Sequence, residues 1–169
     1  MTDLVELATR MGKVLQEKGW LLSTAESCTG GGVAEAITDI PGSSEWFEGG
    51  FVTYSNAAKT AMLDVPPALI AQFGAVSEEV AASMAEGALA NSNAHISLST
   101  TGIAGPTGGV PGKPVGTVCF AWSMERHGDP YTVTERLVFK GDRQAVRQQA
   151  ISHALDGVAR LIAQHKQEK

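Results

Sequence analysis

Apolar positions recur along this chain with two periods, and the changes of period mark out its elements. Leu4, Leu7, Met11, Val14 and Leu15 fall at helical spacing, so an amphipathic first helix is predicted, stopped by Gly19. Leu21 to Ala25 predicts a buried first strand. Thr29 to Ile40 returns to helical spacing until Pro41-Gly42-Ser43-Ser44 breaks it. Trp46 and Phe47 read as core anchors. Phe51 to Tyr54 predicts a second strand, feeding a helix that carries Lys59 and ends at Leu63. Pro66-Pro67 opens another helix, with Leu69, Ile70 and Phe73 as its buried face and Gly74 as its close. Ser77-Glu78-Glu79 has the form of a helix cap followed by acidic residues at the positive helix end, and that helix runs to about Ala90.

His95 to Thr101 predicts a third strand. Gly116 to Met124 and Tyr131 to Phe139 predict two more, joined as a hairpin by Glu125 to Pro130. A closing helix carries Val146, Ile151, Ala154, Leu155, Val158, Leu161 and Ile162 on one stripe, and Gln164 to Lys169 reads as a frayed end. Helices alternate with strands and one hairpin is added. The expected fold is therefore α/β, a three-layer α/β/α arrangement with a mixed sheet of about five strands. Between the third and fourth strands, Gly102 to Pro114 holds five glycines and three prolines. So long an irregular connection inside a small domain reads as a functional loop.

Composition narrows the class. A chain of 169 residues, 43% hydrophobic and 18% charged, has the size and balance of one globular domain, taken as 1–169 with a core from about 4 to 162. No apolar run approaches the ~20 residues that span a bilayer, and Met1-Thr2-Asp3-Leu4-Val5-Glu6 lacks the pattern of a secretion signal, so a cytoplasmic location and no membrane partner are expected. A net charge of -5 argues against sequence-independent nucleic-acid binding. Cys28 and Cys119 form no spaced pair. His95, His127, His153 and His165 are scattered and read as surface or element-end residues, so neither a disulfide framework nor a metal is predicted.

The chemistry concentrates in Leu21-Leu22-Ser23-Thr24-Ala25-Glu26-Ser27-Cys28-Thr29-Gly30-Gly31-Gly32, a strand running into a helix with Ser27 at the junction. At a helix start several N–H groups lack intrahelical partners and the peptide dipoles favour negative charge, which suits an oxyanion or phosphate. By itself the stretch also fits an ordinary helix start, capped by Ser27 or Thr29, with the glycines relieving crowding. Two further stretches join it: Phe51-Val52-Thr53-Tyr54-Ser55-Asn56-Ala57-Ala58-Lys59 and Thr100-Thr101-Gly102-Ile103-Ala104-Gly105-Pro106-Thr107-Gly108-Gly109. In this order, the three closely resemble the CinA C-terminal domain family, whose stand-alone members are nicotinamide mononucleotide deamidases, and the resemblance runs from about Leu4 to about Ile162.

The resemblance implies a serine amidohydrolase with Ser27 as nucleophile, Lys59 as its base and Tyr54 to relay or orient a proton. A lysine can serve as base once desolvation lowers its pKa. Backbone N–H groups near Cys28, Thr29 and Gly30 would hold the oxyanion. For the phosphate of a mononucleotide, Gly102, Gly105, Gly108 and Gly109 would expose successive N–H donors, Thr101 a hydroxyl, and Lys113 and Arg143 positive charge. Glu26 is a weaker candidate for the pyridinium, since a strand neighbour of Ser27 points to the opposite sheet face. No cofactor is implied, and a homodimer is. Larger members carry an N-terminal domain linked to ADP-ribose hydrolysis; the resemblance covers only the C-terminal domain and does not imply that activity. Tyr54 and Lys59 lie five apart, not at the helical Tyr-x-x-x-Lys spacing of short-chain dehydrogenases. A non-catalytic nucleotide-binding or regulatory paralogue of the same family stays open.

Overall fold

In a computed structural model describing residues 3–167, the strands are β1 (Leu22–Glu26), β2 (Phe47–Val52), β3 (Ile96–Gly102), β4 (Thr117–Arg126) and β5 (Asp129–Val138). They form one sheet in the order β2-β1-β3-β4-β5. β1 runs parallel to β2 and to β3, whereas β4 is antiparallel to both of its neighbours. The helices are α1 (Leu4–Lys18), α2 (Gly32–Thr38), α3 (Asn56–Leu63), α4 (Pro67–Phe73), α5 (Glu78–Ala90) and α6 (Arg143–Gln167). α1, α2 and α6 pack together on one face of the sheet, and α3, α4 and α5 on the other, giving the expected three layers and mixed sheet.

The two faces are built differently. Towards α1, α2 and α6 the strands present Leu22, Ile96, Leu98, Phe120 and Trp122, buried against Met11, Leu15, Val33, Ile37, Leu155 and Val158. Trp46 joins this cluster, lying over Gly12, where any larger side chain would collide with its ring. Towards α5 the strands present small and hydroxylic residues. Ala81, Ala85 and Ala88 recur at helical spacing, and a helix with so little side chain on that face can approach closely. Ser97 Oγ donates to Ala85 O at 2.5 Å, Ser99 Oγ to Ala81 O at 2.6 Å and Ser23 Oγ to Ala88 O at 3.4 Å. Buried hydroxyls cost free energy unless paired, and the helix carbonyls pair these. Thr101 Oγ1 continues the row, donating to Ala75 O at 2.7 Å just before α5.

Several boundaries depart from the sequence reading. The second strand covers Phe47–Val52, so Thr53 and Tyr54 lie beyond it. Its middle pair, Gly49-Gly50, masks it in sequence, yet Gly50 sits against the Thr24 side chain where a Cβ would not fit. α2 begins at Gly32, not Thr29, because residues 27–31 form turns closed by Gly30 N–H to Ser27 O and Gly32 N–H to Thr29 O. The hairpin turn is only His127-Gly128, both with positive φ (54° and 86°), so β4 and β5 each extend into the expected connection. Pro130 is tolerated there because β5 is an edge strand.

No residue of α4 is fully buried; Leu69 and Ile70 only lean on the cluster formed by Ala25, Leu63, Val65, Val80, Met84 and Ala88. α6 continues through Gln164 to Gln167 where a frayed end was expected, and Glu168 and Lys169 fall outside the described residues. His153 is neither exposed nor at an element end. It lies 4.7 Å from the Phe120 ring and bonds Glu135 at 2.8 Å.

The close seat of α5 yields a test. A Cβ on Gly87 would fall against the Leu63 carbonyl of α3, a main-chain atom that cannot swing away. Gly87→Ala is expected to lower the unfolding free energy by about 1–3 kcal/mol, read as a fall in the urea midpoint with an unchanged m-value.

Candidate active site

The carboxyl ends of the three parallel strands converge where the chain leaves β1 for α2 on one face and β2 for α3 on the other, the position at which open α/β sheets bind ligands. Ser27 follows the last residue of β1, and its N–H donates to Thr100 O of β3 at 3.0 Å, which fixes the residue against the sheet. Lys59 lies on α3, whose start is capped by Ser55 accepting from Ala58 N–H. The cap sets the helix so that Lys59 points inward, 1% exposed.

Lys59 Nζ lies 3.0 Å from Ser27 Oγ, 3.1 Å from Thr53 O and 3.1 Å from Tyr54 O. None of these partners carries a charge. Burial pulls the Lys59 ammonium below the ordinary lysine value of 10.5, with Cys28 acting less strongly in the other direction. A neutral amine has two N–H bonds for the two carbonyls and one lone pair for the hydroxyl. In the structure Lys59 Nζ donates to Ser27 Oγ, which itself lies 3.5 Å from Tyr54 O as a donor; once the amine is the free base, its lone pair is the acceptor toward which the Ser27 proton can turn. Burial pushes the thiol of Cys28, next along, up to about 12, which disfavours the nucleophilic thiolate.

A cavity of about 390 Å³ opens over this pair. Ser27, Cys28, Tyr54, Lys59, Thr101, Gly102, Gly105, Gly108 and Arg143 line it, together with Asn56, Ala75, Val76, Ile103, Ala104 and Thr107. Arg143, at the start of α6, donates through Nη1 to Gly105 O at 2.8 Å and through Nη2 to Tyr54 Oη at 3.4 Å, placing its charge at the mouth. A larger cleft, about 810 Å³, adjoins on the far side of Arg143 between α1, α2 and α6, and it contains neither Ser27 nor Lys59.

Other expected residues stand elsewhere. Tyr54 is 66% exposed, and its hydroxyl meets Arg143; only its main-chain carbonyl reaches the Ser27 and Lys59 pair. The start of α2 is not an open anion site, because Glu26 fills it: its carboxylate accepts from Val33 N–H at 2.9 Å, Ala34 N–H at 3.1 Å and Thr29 Oγ1 at 2.5 Å. Glu26 is buried on the α2 side of the sheet, away from the cavity, as strand alternation requires. Thr29 is buried with it and bonds Thr100 Oγ1, so its side chain is structural. Gly30 N–H is spent on Ser27 O, while the amides of Cys28 and Thr29 have no main-chain acceptor among the described residues. Gly30 and Gly31 instead supply the positive φ (60° and 98°) that turns the chain into α2.

Thr101 reaches the wall with its hydroxyl already donated to Ala75 O, and Gly109 is not on the wall. Lys113 is also away from it: its Nζ donates to Phe73 O at 2.7 Å and ties the glycine loop to the end of α4. Sequence reasoning missed Arg147, which donates from Nε to Cys28 O at 3.1 Å and from Nη2 to Thr29 O at 3.2 Å. Its spacing of four from Arg143 puts both guanidinium groups on one helix face, the signal that was available. The Thr53 carbonyl and Asn56 carried no such signal. Among the described residues no group of His, Cys, Asp and Glu is placed to hold a metal ion, and no helix is long and apolar enough to cross a membrane.

The model of the CinA C-terminal domain matches residues 4–162. The chain belongs to that family. Similar proteins include the nicotinamide-nucleotide amidohydrolase PncC of Pseudomonas putida, 54% identical over 162 residues, covering 95% of this chain and 98% of that one. The protein of the same name from Escherichia coli K12 is 54% identical over 157 residues, covering 92% and 93%. Among solved structures, the CinA superfamily protein KP700603 from Klebsiella pneumoniae superposes with a TM-score of 0.90 at 38% identity, covering 96% of this chain and 99% of that one.

The buried amine gives a prediction about stability. Below 10.5 the unfolded lysine binds a proton that the folded one, with its lowered value, gives up, so stability through this group rises with pH. The unfolding free energy of the native chain, relative to Lys59→Met, is expected to climb as pH rises toward 10.5, no more steeply than about 1.4 kcal/mol per pH unit. A pH-independent difference in denaturation curves would mean that the amine stays charged in the fold.

Proposed function

We propose that this chain hydrolyses the carboxamide of nicotinamide mononucleotide, giving nicotinic acid mononucleotide and ammonia, through Ser27 and Lys59. The observation that carries the reading is the 3.0 Å approach of an uncharged-partnered, buried amine to a cavity-facing serine hydroxyl. The amidohydrolase names of relatives 54% identical over nearly the whole length support the substrate.

In this mechanism Lys59 Nζ takes the Ser27 proton as Oγ attacks the carboxamide carbon. The two carbonyls behind the amine hold it in place and accept its N–H bonds. The developing oxyanion is met by the Cys28 and Thr29 amides; such a donor is worth roughly 3–4 kcal/mol in comparable enzymes. Lys59 then delivers its proton to the departing nitrogen, ammonia leaves, and an acyl ester remains on Ser27. Water attacks that ester with Lys59 again accepting a proton, and the acid departs as Ser27 is reprotonated. Arg143 meets the phosphate at the mouth, with the Gly102 to Gly108 loop around it, and the Tyr54 ring frames the same opening. The reaction would return nicotinamide nucleotide to the acid branch of pyridine-nucleotide recycling, in the cytoplasm, as a homodimer that sedimentation would detect.

Ser27→Ala is expected to cut ammonia release by at least about 10³-fold while circular dichroism and unfolding stay native. Lys59→Ala is expected to cut ammonia release by a similar factor with a native circular dichroism spectrum, but with a shifted unfolding midpoint, because the side chain it removes is buried. In the native enzyme the acid limb of kcat/KM should fall below the ordinary lysine value, as the lowered Lys59 pKa requires. Calorimetric binding of the mononucleotide without turnover would mark the chain as a non-catalytic nucleotide-binding paralogue.

A further inference from the structure

The turn that carries Ser27 is held from outside the sheet by one side chain. Arg147, on the first turns of α6, lays two guanidinium N–H groups on two successive carbonyls, Cys28 O at 3.1 Å and Thr29 O at 3.2 Å. In a trans peptide the N–H points opposite to the C=O. With the Cys28 carbonyl drawn towards Arg147, the Thr29 amide is aimed the other way. The Cys28 amide is aimed by the bond that Ser27 O accepts from Gly30 at 3.1 Å, which closes the same turn. Neither the Cys28 nor the Thr29 amide has a main-chain acceptor among the described residues.

We propose that Arg147 is a positioning residue for acyl transfer: its fork fixes the 27–30 turn so that the Cys28 and Thr29 amides face the oxygen of an acyl group on Ser27. This rests on the Ser27 nucleophile proposed above but not on the identity of the amide. The fork suits the task better than a point charge would. Its planar, parallel N–H groups set the planes of two adjacent peptides at once, whereas an ammonium would hold one. Arg143, one turn earlier on the same helix, reaches the cavity mouth instead and cannot share this role.

The test compares Arg147→Met and Arg147→Lys with the native enzyme. Arg147→Met is expected to lower kcat for the mononucleotide about 100-fold with KM within about threefold, and Arg147→Lys to recover part of the loss. The acid limb of the pH profile should not move, since Arg147 is not among the groups that shift Lys59. An unchanged kcat in Arg147→Met, a rise in KM alone, or a shifted acid limb would overturn the proposal. Acylation of Ser27 by 4-nitrophenyl acetate, followed by mass spectrometry, separates it from the substrate reading. If native enzyme ignores the mononucleotide yet is acylated, and Arg147→Met slows that acylation by a similar factor, the positioning role stands while the deamidase reading falls. If native and Met variant acylate equally fast, the positioning role fails whatever the substrate. Should Arg147→Met not fold, Arg147→Lys decides by the same readouts.

Discussion

A primary amine sealed under a cavity and faced by two main-chain carbonyls and one hydroxyl is the constraint around which this protein is arranged. An ammonium placed there, without a carboxylate to balance it, is disfavoured by burial, so the site lowers the lysine pKa and shifts the amine toward its free base. The fold must supply that position without letting water or an acid side chain relieve it. Two carbonyls come from the Thr53-Tyr54 segment just past β2, and the hydroxyl comes from the end of β1. Because those strands are paired in parallel register, the three oxygens are fixed relative to one another by the sheet.

The face of the sheet behind that site explains how the helix layer can press so near. On the α1 and α6 side, bulky apolar residues fill a conventional core. On the α5 side, alanines meet serines, and the hydroxyl row from Ser23 through Ser97 and Ser99 to Thr101 satisfies itself on helix and loop carbonyls. Interior packing of this density leaves little room for adjustment. α3, which carries Lys59, rests on α5 through the Gly87 and Leu63 contact, so the closeness of one layer helps set the position of the amine.

Most of the architecture was legible in the pattern of residues because the two periods are well separated and the stops are marked by Gly and Pro. β2 was misplaced for a physical reason. Its paired glycines carry no hydrophobic signal, and the need for them arises only from the Thr24 side chain across the ladder. The site divides in the same way. Ser27 and Lys59 are 32 apart and meet only through the sheet, so their pairing rested on the resemblance and not on spacing. Main-chain groups such as Thr53 O leave no trace in residue type. Tyr54 was credited with its phenol when its carbonyl is the atom that touches the amine, and Lys113 with a free charge when Phe73 O already holds it.

Glu26 has an effect that reaches beyond capping. Since the positive end of α2 is neutralised by the protein's own carboxylate, sulfate or phosphate from the medium gains no foothold there. On the proposed function, the phosphate of the guest would instead be held by Arg143 at the rim, an exposed charge whose pull fades within about 8–10 Å at physiological ionic strength. Retention of the guest would then be sensitive to salt, whereas the internal cap and the buried dyad would be screened much less.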